Sequence, residues 1–486
     1  MKIRFAFLLL VVGLIATVSS CTQRSLNALN PCTINGVVQN VPVNPQRALD
    51  VLFVVDDSAS MLEEQAKLAE QLPRLVSLLL SGGVDPSDGS TPVGVFPAVE
   101  SLHVAVVTPD LGHSTDPMHP YTEGVDFEPS AACEENNGTG KNGFMQIDGF
   151  IDEGSGLTMC TAATPPADTL YLNRSDGTDA EFVRDVTCIT GQTDGIPANA
   201  GCGFEQQLES ILAQDRNGAN AGFSREGALL AVILITDEDD CSTTDPRVFD
   251  IAQRDSNPFQ GPWVDETTKA EVKFNLRCWE HGTKEDRASD PLQGIERYVN
   301  GIASLKADPS QVVFAAITGI PEDPDLDRDL FSSDEARYEE ILAHSAMQEV
   351  PNPAEADQQD QRLTPACTAG AAGDAMPGRR IVETAKGLAA GNTGIGTVVE
   401  SICADDYAPA LNAIVDRIAA ALRQLCLPRP LNRNSQCLVG CEVREVQPEG
   451  GTCATAGLGR EEVPVGMEDG REVCRVTQLP TSPDDV

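Results

Sequence analysis

The chain has 486 residues, 41% of them hydrophobic and 22% charged, a globular composition with room for about three domains or one enlarged one. Its 74 Asp and Glu against 34 Lys and Arg leave a net charge of −40, which repels a phosphate backbone and argues against nucleic acid as a partner. Aromatic residues are only 5%, so the core is expected to be aliphatic, and a ring platform for stacking sugars is not expected.

At the start, Lys2 and Arg4 precede an apolar stretch from Phe5 to Val18. It is too short for a membrane span of ~20 residues and has the size of an export signal. The stretch closes on Val18-Ser19-Ser20-Cys21, which resembles the lipobox of bacterial lipoproteins. That resemblance implies removal of residues 1–20 and a lipid on Cys21, with 21–47 as a tether carrying Pro31, Pro42 and Pro45. An ordinary cleavage site with Cys21 in a disulfide is the alternative. Thr22, where an Asp would signal retention, implies the outer membrane of the bacterial envelope. No later run is long and apolar enough to span a bilayer, so lipid is the only membrane attachment expected.

Fifteen cysteines fit an exported chain, and setting Cys21 aside leaves 14 for disulfides. No CxxC spacing points to zinc. Six cysteines follow residue 400 and eight precede it, so the tail is expected to close on its own bridges, although the sequence assigns no pairs.

Buried strands are expected at Leu49–Val55, Leu102–Val107, Leu229–Ile235 and Gln311–Thr318, each a short continuous apolar run. Apolar residues at helical spacing from Leu62 to Leu79 predict an amphipathic helix, kinked or restarted at Pro73 and ended by Gly82-Gly83. Further helices are expected at Phe204–Leu212, Ile295–Leu305, Asp334–Ala346 and Ala408–Leu425. Strands alternating with helices imply a doubly wound, mostly parallel α/β sheet over residues 48–426. Long insertions, at about 109–200, 256–292 and 320–375, lack periodicity; the first is expected to be pinned by disulfides. From 427 to 486, prolines, clustered cysteines and short alternating pieces predict a small Cys-rich β module.

Ligands of open α/β sheets bind outside the carboxyl ends of the strands. Two acidic clusters fall there: Asp56, Ser58 and Ser60 after the first strand, and Asp237 to Asp240 after a central one. Carboxylates and hydroxyls are hard oxygen donors, suited to Mg²⁺ or Ca²⁺ rather than to zinc. Val54-Val55-Asp56-Asp57-Ser58-Ala59-Ser60-Met61 resembles the DxSxS metal-ion-dependent adhesion motif of the von Willebrand factor A family, and Ile235-Thr236-Asp237 its later strand-ending aspartate. The resemblance covers roughly 48–425. It implies a divalent cation, Mg²⁺ first and Ca²⁺ or Mn²⁺ as alternatives, bound directly by Ser58 and Ser60 and through water by Asp56 and Asp237. It also implies one coordination position open to an acidic group of a protein or other extracellular macromolecule. The family's threonine is missing: Ala200-Gly201-Cys202-Gly203-Phe204-Glu205 stands in that stretch. Glu205 is the candidate replacement, although it is equally suited to a helix N-terminus; Thr108, Asp110 and Thr193 are fallbacks, and Cys202 is expected to be bridged, perhaps to Cys188. The four acids from Asp237 to Asp240 are expected to make the site unusually negative.

Asp323-Pro324-Asp325-Leu326-Asp327-Arg328-Asp329 alternates like a calcium loop but lacks its glycine and closing glutamate, and reads as a solvated acidic loop. No HExxH or GxSxG occurs, and the five histidines, His103 in a strand and His113 and His119 in the insertion among them, form no catalytic pattern. An enzyme is therefore not expected. The expectation is an envelope lipoprotein that binds a macromolecule through a cation. The alternative is a structural envelope-assembly protein in which metal and disulfides only stabilise the fold.

Overall fold

The computed structural model describes residues 48–83, 98–112, 140–152, 157–163, 169–174, 178–191, 204–244, 246–249, 274–282, 292–358, 361–369, 373–390, 394–422, 444–447, 452–453, 462–468 and 470–476. The export signal, Cys21 and the tether lie outside them, as do Cys202, Thr193, His113 and His119. Among the described residues no helix is long and apolar enough to cross a membrane.

Residues Asn44–Gln424 form one compact unit. At its centre lie β1 (Ala48–Val55), β2 (Ser101–Val107), β6 (Leu229–Ile235), β7 (Val312–Thr318) and β10 (Gly396–Ser401), with the short β5 (Leu172–Asn173) at one edge. The order is β10-β7-β6-β1-β2-β5, and every pairing is parallel except β2 with β5. The mostly apolar runs became the central strands because both of their faces are covered. In β1, Leu49, Val51, Phe53 and Val55 pack beneath α1 (Leu62–Ser81), α2 (Asp179–Thr190) and α8 (Ala408–Leu422). Leu52 and Val54 pack on the other side with α3 (Gln207–Arg216), α5 (Ile295–Ala303), α6 (Asp334–Ala343) and α7 (Arg379–Ala390). The short α4 (Arg277–Gly282) lies between α3 and α5 in sequence.

Several expectations need correction. Helix α1 continues through Pro73, so of the expected kink or restart the restart does not occur. The lost hydrogen bond and ring clash cost ~3 kcal/mol, less than the burial of Leu68, Leu72, Leu75, Val76 and Leu79 at ~1.5–3 kcal/mol each. Gly82, at φ 73°, ends it as expected, its N–H donating to the Leu78 carbonyl. The stretch 109–200 is less irregular than its composition suggests. It holds the hairpin β3 (Asp148–Asp152) and β4 (Leu157–Thr161), and it holds α2, opened by a capping box between Thr178 and Glu181. Cys188 pairs with Cys160, not with Cys202. Cys403 pairs with Cys367, so the cysteines after residue 400 are not closed among themselves. Cys241–Cys278 and Cys453–Cys474 are the other two bridges among the described residues.

Beyond Gln424, β11 (Arg444–Val446), β12 (Glu462–Glu468) and β13 (Arg471–Val476) form an antiparallel sheet in the order β11-β13-β12.

Candidate metal centre

In chain order the central sheet is laid down from β1 outward to β2, then on the other side of β1 as β6, β7 and β10. The direction of winding changes between β1 and β6, where the crevice at the carboxyl ends opens. The two ladders continue into the loops that line it. The Asp56 N–H donates to the Ile235 carbonyl at 3.0 Å, and the Thr236 N–H to the Ile317 carbonyl at 3.1 Å. Residues 56–60 and 236–237, 177 to 180 positions apart at their hydrogen-bonded pairs, are thereby held side by side.

The predicted hydroxyls and carboxylates meet. Ser58 Oγ and Ser60 Oγ are 2.8 Å apart, and Ser60 Oγ donates to Asp237 Oδ1 at 3.2 Å. Asp56 Oδ1 accepts from the Ser58 N–H at 2.8 Å, and Asp56 Oδ2 from Thr236 Oγ1 at 2.6 Å. Thr236, read in the sequence only as part of a motif, thus orients the first carboxylate. Gln65, on the first turns of α1, donates Nε2 to the Asp56 carbonyl at 2.8 Å and ties helix to loop.

Glu205 comes to the same place. It is 1% exposed, and burial together with the nearby Asp56 carboxyl raises its pKa. Its Oε2 accepts from Gln207 Nε2, which also donates to Thr236 Oγ1. Glu205 precedes α3 but does not cap it. That helix receives Asp240 instead, whose Oδ1 accepts from the Leu208 N–H at 2.9 Å. Asp239 accepts from the Arg380 N–H at the start of α7 through both oxygens. Two of the four consecutive acids, Asp239 and Asp240, therefore also serve helix N-termini. Nothing in the sequence separated ligand-like from capping aspartates, because both roles use the same carboxylate.

The fallback residues fare differently. Thr108 is buried with no hydrogen-bond partner for its hydroxyl, whereas Asp110 accepts from the Gly112 N–H at 2.8 Å and so shapes its own loop. Lys141, from the same insertion, reaches the loop after β1 and pairs with the buried Asp57 at 2.7 Å. No sequence signal placed that cation there.

Packing acids together without water disfavours their ionised forms. Burial, then repulsion from Asp56 and Glu238, holds Asp237 well above the usual carboxylate range. Burial raises Glu205 as strongly, with Asp56 and Glu238 adding to it, and Asp56 is raised chiefly by burial. Glu238 is pushed up to about 7, by burial first and Asp56 second.

Glu349 is raised to about 9 by burial and by Asp239, against the opposing pull of Arg379. A raised carboxyl supports the fold fully below its unfolded value, near 4.5 here, and that support is lost as pH rises through about 9. The melting temperature is accordingly expected to fall between pH 5 and 9, and Glu349→Gln to flatten the fall and be at least as stable at pH 8. Scanning calorimetry of both proteins across that range checks this; parallel curves would refute it.

No family model and no curated protein matches the chain. Among solved structures, proximal thread matrix protein 1 of the mussel byssus matches at 12% identity, over 56% of this chain and 38% of that one, with a TM-score of 0.21. A likeness so slight carries no argument. Among the described residues the one group of three His, Cys, Asp or Glu ligand atoms within 4.8 Å of one another is Cys453, Glu472 and Cys474; the carboxylates of the crevice do not form such a group. The two sulfurs are joined in a disulfide, and Glu472 accepts from the Cys453 N–H at 2.8 Å, so no thiolate is left to bind an ion.

Proposed function

We propose that residues 48–426 are a von Willebrand factor A-type domain that binds a protein or other extracellular macromolecule through a divalent cation. In this reading the chain is an envelope lipoprotein, anchored by lipid on Cys21 and carrying a Cys-rich module from 427, and it is a binding protein rather than an enzyme. The observation that carries the reading is the unbroken hydrogen-bonded line Ser58–Ser60–Asp237, joined to Asp56 through its own loop.

The donors fit a hard cation: two hydroxyls and three carboxylates, with no sulfur or imidazole among them. Ser58 and Ser60 would hold it directly, Asp56 and Asp237 would act through water, and Glu205 would stand where the family has threonine. The buried, unpartnered hydroxyl of Thr108 is a further oxygen at the same edge. A cation would also offset the mutual repulsion of these acids. Mg²⁺ is the first candidate, with Ca²⁺ and Mn²⁺ as alternatives, and the bound ion would accept an acidic group of the partner.

Isothermal titration with the three ions, on wild type and Ser58→Ala, is the first test, with affinity expected to fall roughly 10–100-fold in the variant. Pull-down from envelope extract is the second. Ser58→Ala should lose the chelator-sensitive partners while melting within a few degrees of wild type. If the cation and disulfides only stabilise the fold, the same variant would melt lower and retain its partners.

A further inference from the structure

Beside the candidate metal centre, a cavity of about 540 Å³ opens between the loop after β6 and the segments that follow it. Cys241 and Cys278, joined by a disulfide, hold one wall together and present Trp279 to the space. Arg362, Arg379 and Arg380 border it, together with more carboxylates than guanidiniums: Glu205, Glu238, Asp239, Asp240, Glu349 and Glu383.

The arginines are already engaged. Arg380 donates Nε to Asp240 at 3.2 Å and Nη2 to the Gln293 carbonyl at 2.8 Å. Arg379 donates Nη1 to the carbonyls of Leu342 and Met347, and Arg362 donates to Glu355 at 3.2 Å. The carboxylates of Glu238 and Glu349 are in the opposite position. Among the described residues neither accepts a hydrogen bond. The cation facing Glu349 is Arg379, whose Nε stands 3.7 Å away, beyond hydrogen-bond reach. Glu349 is 7% exposed and sits at φ +50°, in the left-handed region a glutamate seldom adopts. A carboxyl so buried, against an aromatic wall, lacks hydrogen-bond donors and has Arg379 as its one ion-pair partner among the described residues, with several carboxyls nearby, and a cationic guest supplies donors and further positive charge.

We infer that this cavity is a binding site for an alkylammonium or guanidinium group, received by Glu349 and Glu238 against Trp279. The guest's N–H groups donate to the two carboxylates, and its charge takes the place of the proton that burial keeps on Glu349, which passes to solvent. The groups facing Glu349 in this exchange are Asp239, Arg379, Arg380 and Glu383. The cavity touches the candidate cation centre at Glu205, but Glu349 and Trp279 lie outside that centre, and its occupation is not required.

Isothermal titration of the full chain with four probes tests the assignment: Nα-acetyl-lysine amide, Nα-acetyl-arginine amide, their neutral isostere Nα-acetyl-norleucine amide and the anionic Nα-acetyl-glutamate amide. The two cationic probes are expected to bind at least tenfold more tightly than the norleucine probe, with proton release that scales with buffer ionisation heat. Glu349→Gln, which should fold at least as well as wild type, is expected to weaken them at least tenfold. Trp279→Phe should remove the fluorescence change on binding. Binding should persist in chelator and in Asp56→Ala, which separates this site from the cation reading. Equal binding of lysine and norleucine probes, preference for the glutamate probe, an unaffected Glu349→Gln, loss of binding in chelator, or no binding at all would each overturn the inference. A cationic group on a free small molecule and one on a partner's side chain are told apart by repeating the titration with a lysine-containing peptide, whose stronger binding would assign the guest to a partner chain.

Discussion

Asp50→Asn is expected to lower the unfolding free energy by about 3–5 kcal/mol, the usual cost of removing one member of a buried charge cluster. Asp50 lies within β1, is fully buried, and is the anion for three basic groups. Arg225 donates its backbone N–H to Oδ2 and its Nε to Oδ1, both at 2.7 Å. Lys306 stands 3.6 Å away with its side chain only 3% exposed, and His103 Nδ1 lies 3.7 Å off. Burial already lowers the Lys306 ammonium, and Asp50 is the first charge that opposes this. An asparagine turns an amide donor toward groups that are themselves donors, and leaves the ammonium buried without its counter-charge. Chemical denaturation followed by circular dichroism checks the figure, and a loss below about 1 kcal/mol would show that the cluster relaxes into water. Arg225, with a quarter of its side chain exposed, can partly do so, which makes Lys306 the larger part of the cost.

This cluster marks what the sequence could and could not say. An aspartate inside Leu49–Val55 looks like a flaw in a buried strand, and its partners come from 175 residues away in Arg225 and further still in Lys306. The central strands were legible because a strand covered on both faces is apolar at nearly every position, Asp50 and His103 being the buried exceptions in β1 and β2. The edge strand β10 was not, since only Val398 and Val399 interrupt its polar residues. Helix α7 escaped notice although Ile381, Val382, Ala385 and Leu388 keep helical spacing, because it starts directly after Pro377 and Gly378. The capping box of Thr178 and Glu181 was a readable sign of α2 inside a stretch that otherwise reads as loop.

The candidate site divides in the same way. Asp56, Ser58, Ser60 and Asp237 follow from a local pattern at two strand ends, and parallel pairing of β1 with β6 fixes their approach. Glu205 depended on how a poorly patterned loop returns to the sheet. The capping roles of Asp239 and Asp240 could not be read from the sequence, because their destinations, the first turns of α7 and α3, lie far along the chain or behind them.

Asp237→Asn should act in opposite directions with and without a cation. In chelator the variant is expected to melt higher than wild type, because it removes a buried carboxyl that is repelled by Asp56 and Glu238. Its hydrogen bond from Ser60 survives, since the amide oxygen also accepts. With Mg²⁺ at a hundred times the wild-type Kd, binding adds about 2.7 kcal/mol to the wild-type fold. A loss of affinity of about 100-fold, at the upper end for disturbed metal sites, reduces that gain to about 0.4 kcal/mol in the variant. The order of melting temperatures therefore reverses on adding the ion, wild type moving above the variant. Differential scanning fluorimetry of the two proteins in chelator and in Mg²⁺ reads the crossing directly. Shifts of the same sign and size in both buffers would mean that Asp237 answers only to its protein neighbours, and that the oxygens of this crevice hold no ion.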